Sequence, residues 1–284
     1  MRRLGLTLAV ALTVTTMPAA PAGATFPGRS GRIAFTKASE QIAVAKPNGT
    51  QIRTLTHFSG FAEAPEYSAD GEWIVFDGLN GVNVDLYKMR SDGTGLTQLT
   101  DDLAYQWAPS WSPDGKKIVY SADGANSAIW VMKANGSNPH MLCPGPGGYA
   151  RYSPNGKRIV YGNYADRDIH VMNADGSNDH AITSSPATEG FPDWSPDGKH
   201  IAFMSALSGS TQAWIMDADG SNPVQVTTKG IDYGPVFSPD GAKIAAWDGV
   251  DEIFVVNVDW SGYHVVHAGS ILRFGGLGQP APTP

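Results

Sequence analysis

Beyond residue 30 the chain alternates short apolar runs with polar clusters rich in Gly, Asn, Asp and Pro. Runs such as Lys117-Ile118-Val119-Tyr120, Arg158-Ile159-Val160-Tyr161 and His200-Ile201-Ala202-Phe203 are β-branched and aromatic, and turn residues bound each one. That pattern predicts strands and hairpins, and no segment after the first residues sustains a helical period. Strands such as Ile74-Val75-Phe76 are apolar at successive positions, as expected when both faces of a sheet are covered.

The pattern repeats. Tyr67-Ser68-Ala69-Asp70-Gly71 returns as Trp111-Ser112-Pro113-Asp114-Gly115, Tyr152-Ser153-Pro154-Asn155-Gly156, Trp194-Ser195-Pro196-Asp197-Gly198 and Phe237-Ser238-Pro239-Asp240-Gly241, with aromatic spacings of 44, 41, 42 and 43. A second motif runs in phase: Asn48-Gly49-Thr50, Asp92-Gly93-Thr94, Asn135-Gly136-Ser137, Asp175-Gly176-Ser177, Asp219-Gly220-Ser221 and a degraded Asp259-Trp260-Ser261, six in all. Each repeat parses into four strands: one ending at the aromatic-Ser pair, a second β-rich run, a third such as Ile129-Trp130-Val131-Met132, and a fourth ending in pairs such as Leu99-Thr100 or Val226-Thr227.

Four-stranded units at this period are propeller blades. The expected fold is therefore all-β, a six-bladed propeller of antiparallel blades. Gly31-Arg32-Ile33-Ala34-Phe35 matches a second strand with no first strand before it, so Ile271-Leu272-Arg273-Phe274-Gly275 is expected to complete the N-terminal blade and close the ring. The organisation that follows is a leader at 1–24, a short linker at 25–30, the propeller at 31–278 and a flexible Pro-rich tail at 279–284.

With 42% hydrophobic residues the chain can bury a core. Arg2 and Arg3, the apolar stretch Leu4 to Thr16 and Ala22-Gly23-Ala24 read as a secretory signal with its cleavage site. A secreted or periplasmic protein with no integral membrane segment after cleavage is expected, since the apolar stretch is too short to span a bilayer. Removing two arginines from 20 basic residues leaves 18 against 27 acidic ones, net −9, and that surface repels nucleic acid. One cysteine, Cys143, allows no internal disulfide and sits where other repeats carry Thr or His, so a buried thiol is expected.

The repeated carboxylates of Asp70, Asp114, Asp197 and Asp240 belong to turn chemistry: Asp-Gly and Asn-Gly supply the positive φ that tight hairpins need. His140, His180 and His264 occupy one register in three different blades and cannot converge on a metal whose ligands lie at ~2 Å. His170 replaces Trp130, Trp214 and Tyr87 and reads as a packed structural residue. Nucleophile-elbow, zinc-helix and phosphate-loop motifs are not found.

Individuality lies elsewhere. A meander places the Asp-Gly turns on one face and the longer, mutually unlike loops on the other. Those loops carry Phe61, Glu63, Tyr105, Gln106, Trp107, Tyr149, Glu189, Phe191, Asp232 and Tyr233, the expected partner-binding face. Plugging of the central channel by the same aromatics is the alternative. Glu63, Glu189 and Asp232 are candidate ligands for a calcium ion at the channel mouth.

The repeat aromatic-Ser-Pro-Asp-Gly-x-x-Ile-[Ala/Val]-[Phe/Tyr], followed by Asp-Gly-Ser, resembles the TolB-like propeller repeats, over residues 31 to about 275. The resemblance implies a six-bladed propeller that binds other proteins outside the cytoplasm, although the small α/β domain that precedes the propeller in TolB proper is not seen here. It supports a non-enzymatic, monomeric module that docks a protein or peptide through its long-loop face. The alternative is a lyase or lactonase-like propeller enzyme acting on a sugar derivative at a central metal ion.

Overall fold

The fold is seen in a computed structural model. It describes residues 31–37, 40–46, 48–123, 127–228, 233–248, 252–259, 261–268 and 274–277, so the expected leader, linker and Pro-rich tail lie outside the described residues, as does Trp260 of the sixth hairpin motif. Six four-stranded antiparallel sheets form the blades, and no helix occurs among the described residues. The inner strands of blades 2 to 6 are Ala62–Tyr67, Gln106–Trp111, Gly147–Tyr152, Glu189–Trp194 and Tyr233–Phe237. Blade 1 takes its inner strand, Phe274–Leu277, from the C-terminal end of the described chain, paired antiparallel to Ile33–Lys37. The ring therefore closes as the sequence predicts, two to three residues further along than Ile271–Gly275.

Blades cohere through apolar layers shared between neighbours. Ala34, Ile42 and Val44 of blade 1 bury themselves against Ala62, Tyr67, Ile74 and Phe76 of blade 2, and the other blade pairs repeat the arrangement. Each first hairpin is a closed hydrogen-bond box. In blade 3 Ser112 Oγ donates to Asp114 Oδ1 at 2.7 Å, the same carboxylate accepts the Lys116 N–H, and Ser112 Oγ accepts the Lys117 N–H at 2.9 Å. The hydrogen bond from Ser112 holds the Asp114 carboxyl below its ordinary pKa. Blades 2, 5 and 6 repeat the box with Asp70, Asp197 and Asp240, and blade 4 with Asn155.

The glycine of the second hairpin has a different reason. Gly220 has φ +89°, and a Cβ there would stand 1.9 Å from the Ile182 carbonyl oxygen of the preceding blade. Gly49, Gly136 and Gly176 approach the carbonyls of Val266, Leu99 and Leu142 in the same way, so this glycine sets the spacing between blades. In blades 1, 2, 4 and 5 the Thr after the outer strand caps its own blade. Thr56, Thr100, Thr183 and Thr227 accept the N–H of Ile42, Leu86, Ile169 and Ala213, each at 2.9 Å. Cys143 takes that register in blade 3 and is buried.

Candidate functional site

Every inner strand of blades 2 to 6 carries a bulge at one register, seen as a slip in pairing between Glu63 and Glu66, Trp107 and Ser110, Gly148 and Arg151, Gly190 and Asp193, and Tyr233 and Val236. The bulged residue has positive φ in all five: Ala64, Ala108, Tyr149, Phe191 and Gly234. Glycine adopts this conformation freely, whereas a bulky residue there costs on the order of 1–3 kcal/mol. Tyr149 at φ 55° and Phe191 at φ 52° therefore keep their rings where the backbone would be relaxed with glycine.

Those rings belong to a continuous row. Trp107 meets Tyr149 edge-on at 5.1 Å, Tyr149 lies 3.9 Å from Phe191, Phe191 meets Tyr233 at 6.2 Å, and Tyr233 leans on Trp247 at 5.6 Å. Tyr164 stacks on the outer side of Trp107 at 6.3 Å. Tyr149, Phe191, Tyr233 and Trp247 are half-buried and wall a cavity of ≈ 280 Å³ at the long-loop end of the channel, with Ala64 opposite and Arg151 among its lining.

Arg151 also lines a smaller cavity, ≈ 110 Å³, toward the Asp-Gly turns, so its side chain stands between the two ends of the channel. Its Nε is 3.1 Å from Glu66 Oε2, an ion pair spanning blades 4 and 2. Glu66 Oε1 accepts from Ser110 Oγ at 2.8 Å and from the Trp111 N–H at 3.1 Å, and Asp193 Oδ2 accepts the Phe237 N–H at 2.9 Å. Thus the carboxylates of Glu66 and Asp193 and the guanidinium of Arg151 share the channel. Burial pushes the Asp193 carboxyl up to about 7 against the opposing pull of Arg151, and it raises Glu66 as well.

The expected face residues divide. Tyr149, Phe191 and Tyr233 come together around the cavity, and Tyr105 is exposed on the loop before the inner strand of blade 3. Phe61 is half-buried, its carbonyl accepting the Leu79 N–H. Four others are turned inward, contrary to expectation. Gln106 is 1% exposed, held between Asp102 Oδ1 and Thr100 Oγ1. Glu189 is buried and accepts from Ser185 Oγ at 2.7 Å and Ser205 Oγ at 3.2 Å. Glu63 is buried opposite Asp77, and Trp107 is buried with its Nε1 donating to Asp123 Oδ1. Asp232 lies outside the described residues. Glu63 and Glu189 sit on blades 2 and 5, and among the described residues no three His, Cys, Asp or Glu side chains gather to hold a metal ion.

Three residues the sequence reading missed complete the site. Trp247 occupies the second-strand register held by Asp77, Ser121, Gly162 and Met204 in the other blades, and Arg151 shares its register with Glu66, Ser110, Asp193 and Val236. Both are departures that a register-by-register comparison exposes. Tyr164 is a loop residue with no such register. The histidines behave as expected. His140, His180 and His264 each turn Nδ1 to the backbone oxygen two residues earlier, and His170 is buried between Asp166 at 2.8 Å and Asp179 at 3.3 Å.

Fold and channel define a six-bladed propeller with an aromatic-walled mouth on the face opposite its repeated turns. A family model described as the TolB beta propeller domain matches residues 28–167 and 143–270, and the chain belongs to that family. Its structure superposes on TolB from Acinetobacter baumannii with a TM-score of 0.74 at 21% identity, covering 87% of this chain and 66% of that one. The protein from Agrobacterium tumefaciens described as a TolB gives the same score at 22% identity, covering 87% and 94%. An uncharacterized Agrobacterium fabrum protein, Atu1656, is 32% identical over 122 residues, and the match spans 42% of each chain. Among the described residues no helix is long and apolar enough to cross a membrane.

Proposed function

We propose that this chain is a non-enzymatic, monomeric extracytoplasmic propeller that docks a protein or peptide at its long-loop mouth. The observation that carries the reading is the cavity of ≈ 280 Å³ walled by four half-buried aromatic rings, two of them held at positive φ. Strain retained in bulky residues marks a position selected for what its side chain does, and aromatic rings concentrate binding energy where water is excluded. Family membership and the leader read from residues 1–24 support the extracytoplasmic setting.

The test is capture of partners from an extracytoplasmic extract on immobilised protein. Phe191→Ala and Tyr233→Ala each remove a cavity wall, and capture is expected to fall at least tenfold, or about 1.4 kcal/mol, as for a binding hot spot. Lys116→Ala on the opposite face is expected to leave it unchanged. Undiminished capture by both cavity variants, with unchanged melting curves, contradicts the reading.

A further inference from the structure

The rim of the long-loop mouth carries a net charge of one sign. At the long-loop end the described connections expose Glu40, Asp101, Asp102, Asp123 and Asp166, answered there only by Lys37 and Arg167. At the other end the hairpins expose Arg90, Lys116, Lys117, Lys133, Lys157 and Lys199 interleaved with Asp70, Asp92, Asp114, Asp175, Asp197, Asp219, Asp240 and Asp259, so neither sign dominates there. Among the described residues the rim around the aromatic cavity is thus net negative. Field lines of one sign around a concave, low-dielectric mouth steer oppositely charged partners into it.

Apolar surface accompanies that charge. Val82 and Leu103 are 93% and 92% exposed on two loops joined by a hydrogen bond from Asn83 Nδ2 to the Asp102 carbonyl at 3.3 Å. Beside them stand the acids Asp101 and Asp102. The cavity is walled by Tyr149, Phe191, Tyr233 and Trp247, and Arg151 in its lining is already paired with Glu66, which leaves the cavity for an apolar group and the rim for positive charge.

From this we infer that the partner segment is basic and presents a bulky apolar side chain, which enters the ring-walled cavity while its Lys or Arg residues face the acidic rim. The inference rests on the docking function proposed above and adds the chemistry of what docks.

Two synthetic peptides of identical apolar content, each with one Trp, separate the possibilities: one carries Lys at its polar positions and the other Glu. Fluorescence anisotropy at low ionic strength is expected to give the Lys peptide at least about tenfold higher affinity, through faster association, with the advantage shrinking as salt is added. Glu40→Gln with Asp101→Asn, two exposed acids free of side-chain hydrogen bonds among the described residues, is expected to weaken the Lys peptide about threefold to tenfold and flatten its salt dependence. Phe191→Ala is expected to weaken it further without changing that salt dependence. Equal binding of the two peptides, or tighter binding of the Glu peptide, overturns the inference while leaving docking at the cavity intact. Binding of the Lys peptide that is unaffected by Phe191→Ala and Tyr233→Ala together overturns the docking site itself.

Discussion

Replacing Arg151 with Met removes the guanidinium that is paired with Glu66 and acts on Asp193 in the channel while keeping an apolar stem of similar length. The ion pair is close, 3.1 Å, and its side chains are 13% and 14% exposed. Breaking a fully buried pair costs about 3–5 kcal/mol; the partial exposure of these two side chains reduces that to ~2 kcal/mol here. For a domain of this size, each kcal/mol moves the melting temperature by about 2–4 °C, so a loss of roughly 4–8 °C is expected near pH 8. The pH dependence follows from the direction of the shifts. Glu66 and Asp193 are both raised in the folded protein, so the stability they contribute is present below the ordinary carboxylate range and is lost as pH rises, for Asp193 through about 7. Without Arg151 both carboxyls rise further, so ionising them becomes more unfavourable. The deficit is therefore expected to be small near pH 5 and largest near pH 8. Differential scanning calorimetry at both pH values measures it, and Glu66→Gln added to Arg151→Met should recover part of the loss. A deficit equal at the two pH values, or below about 1 °C near pH 8, refutes the charge cluster.

The fold makes two further predictions. Gly220→Ala places a Cβ against the Ile182 carbonyl at a positive-φ position and is expected to cost about 2–4 kcal/mol, read as a lower denaturant midpoint with unchanged slope. Deleting residues 270–284 removes the strand that completes blade 1 and is expected to lower the melting temperature by many degrees; an unchanged melting curve would refute ring closure by Phe274–Leu277.

The architecture was legible because its signals are local. The aromatic-Ser-Pro-Asp-Gly stretch encodes a hairpin whose box closes within six residues, Ser112 to Lys117, and its spacing counts the blades. The glycine of the second hairpin was legible only as a turn residue, because its spacing role depends on a carbonyl of the neighbouring blade. The site was half legible. Tyr149, Phe191 and Tyr233 were found as loop aromatics, but Gln106 and Glu189 were placed on the face and are instead buried. Here the cause is the bulge, which inserts a residue and reverses the inward-outward alternation for the positions before it. Arg151 and Glu66 escaped notice because their partnership joins blades 2 and 4, a contact that no local pattern announces.

Docking at the ring-walled mouth is tested most directly by photo-crosslinking in the native host, with benzoylphenylalanine in place of Tyr233 at the mouth and, separately, in place of Lys116 on the turn face. A discrete, ultraviolet-dependent adduct is expected from the Tyr233 position and none from Lys116. An adduct from Lys116 alone, or adducts of equal yield from both, would contradict the account.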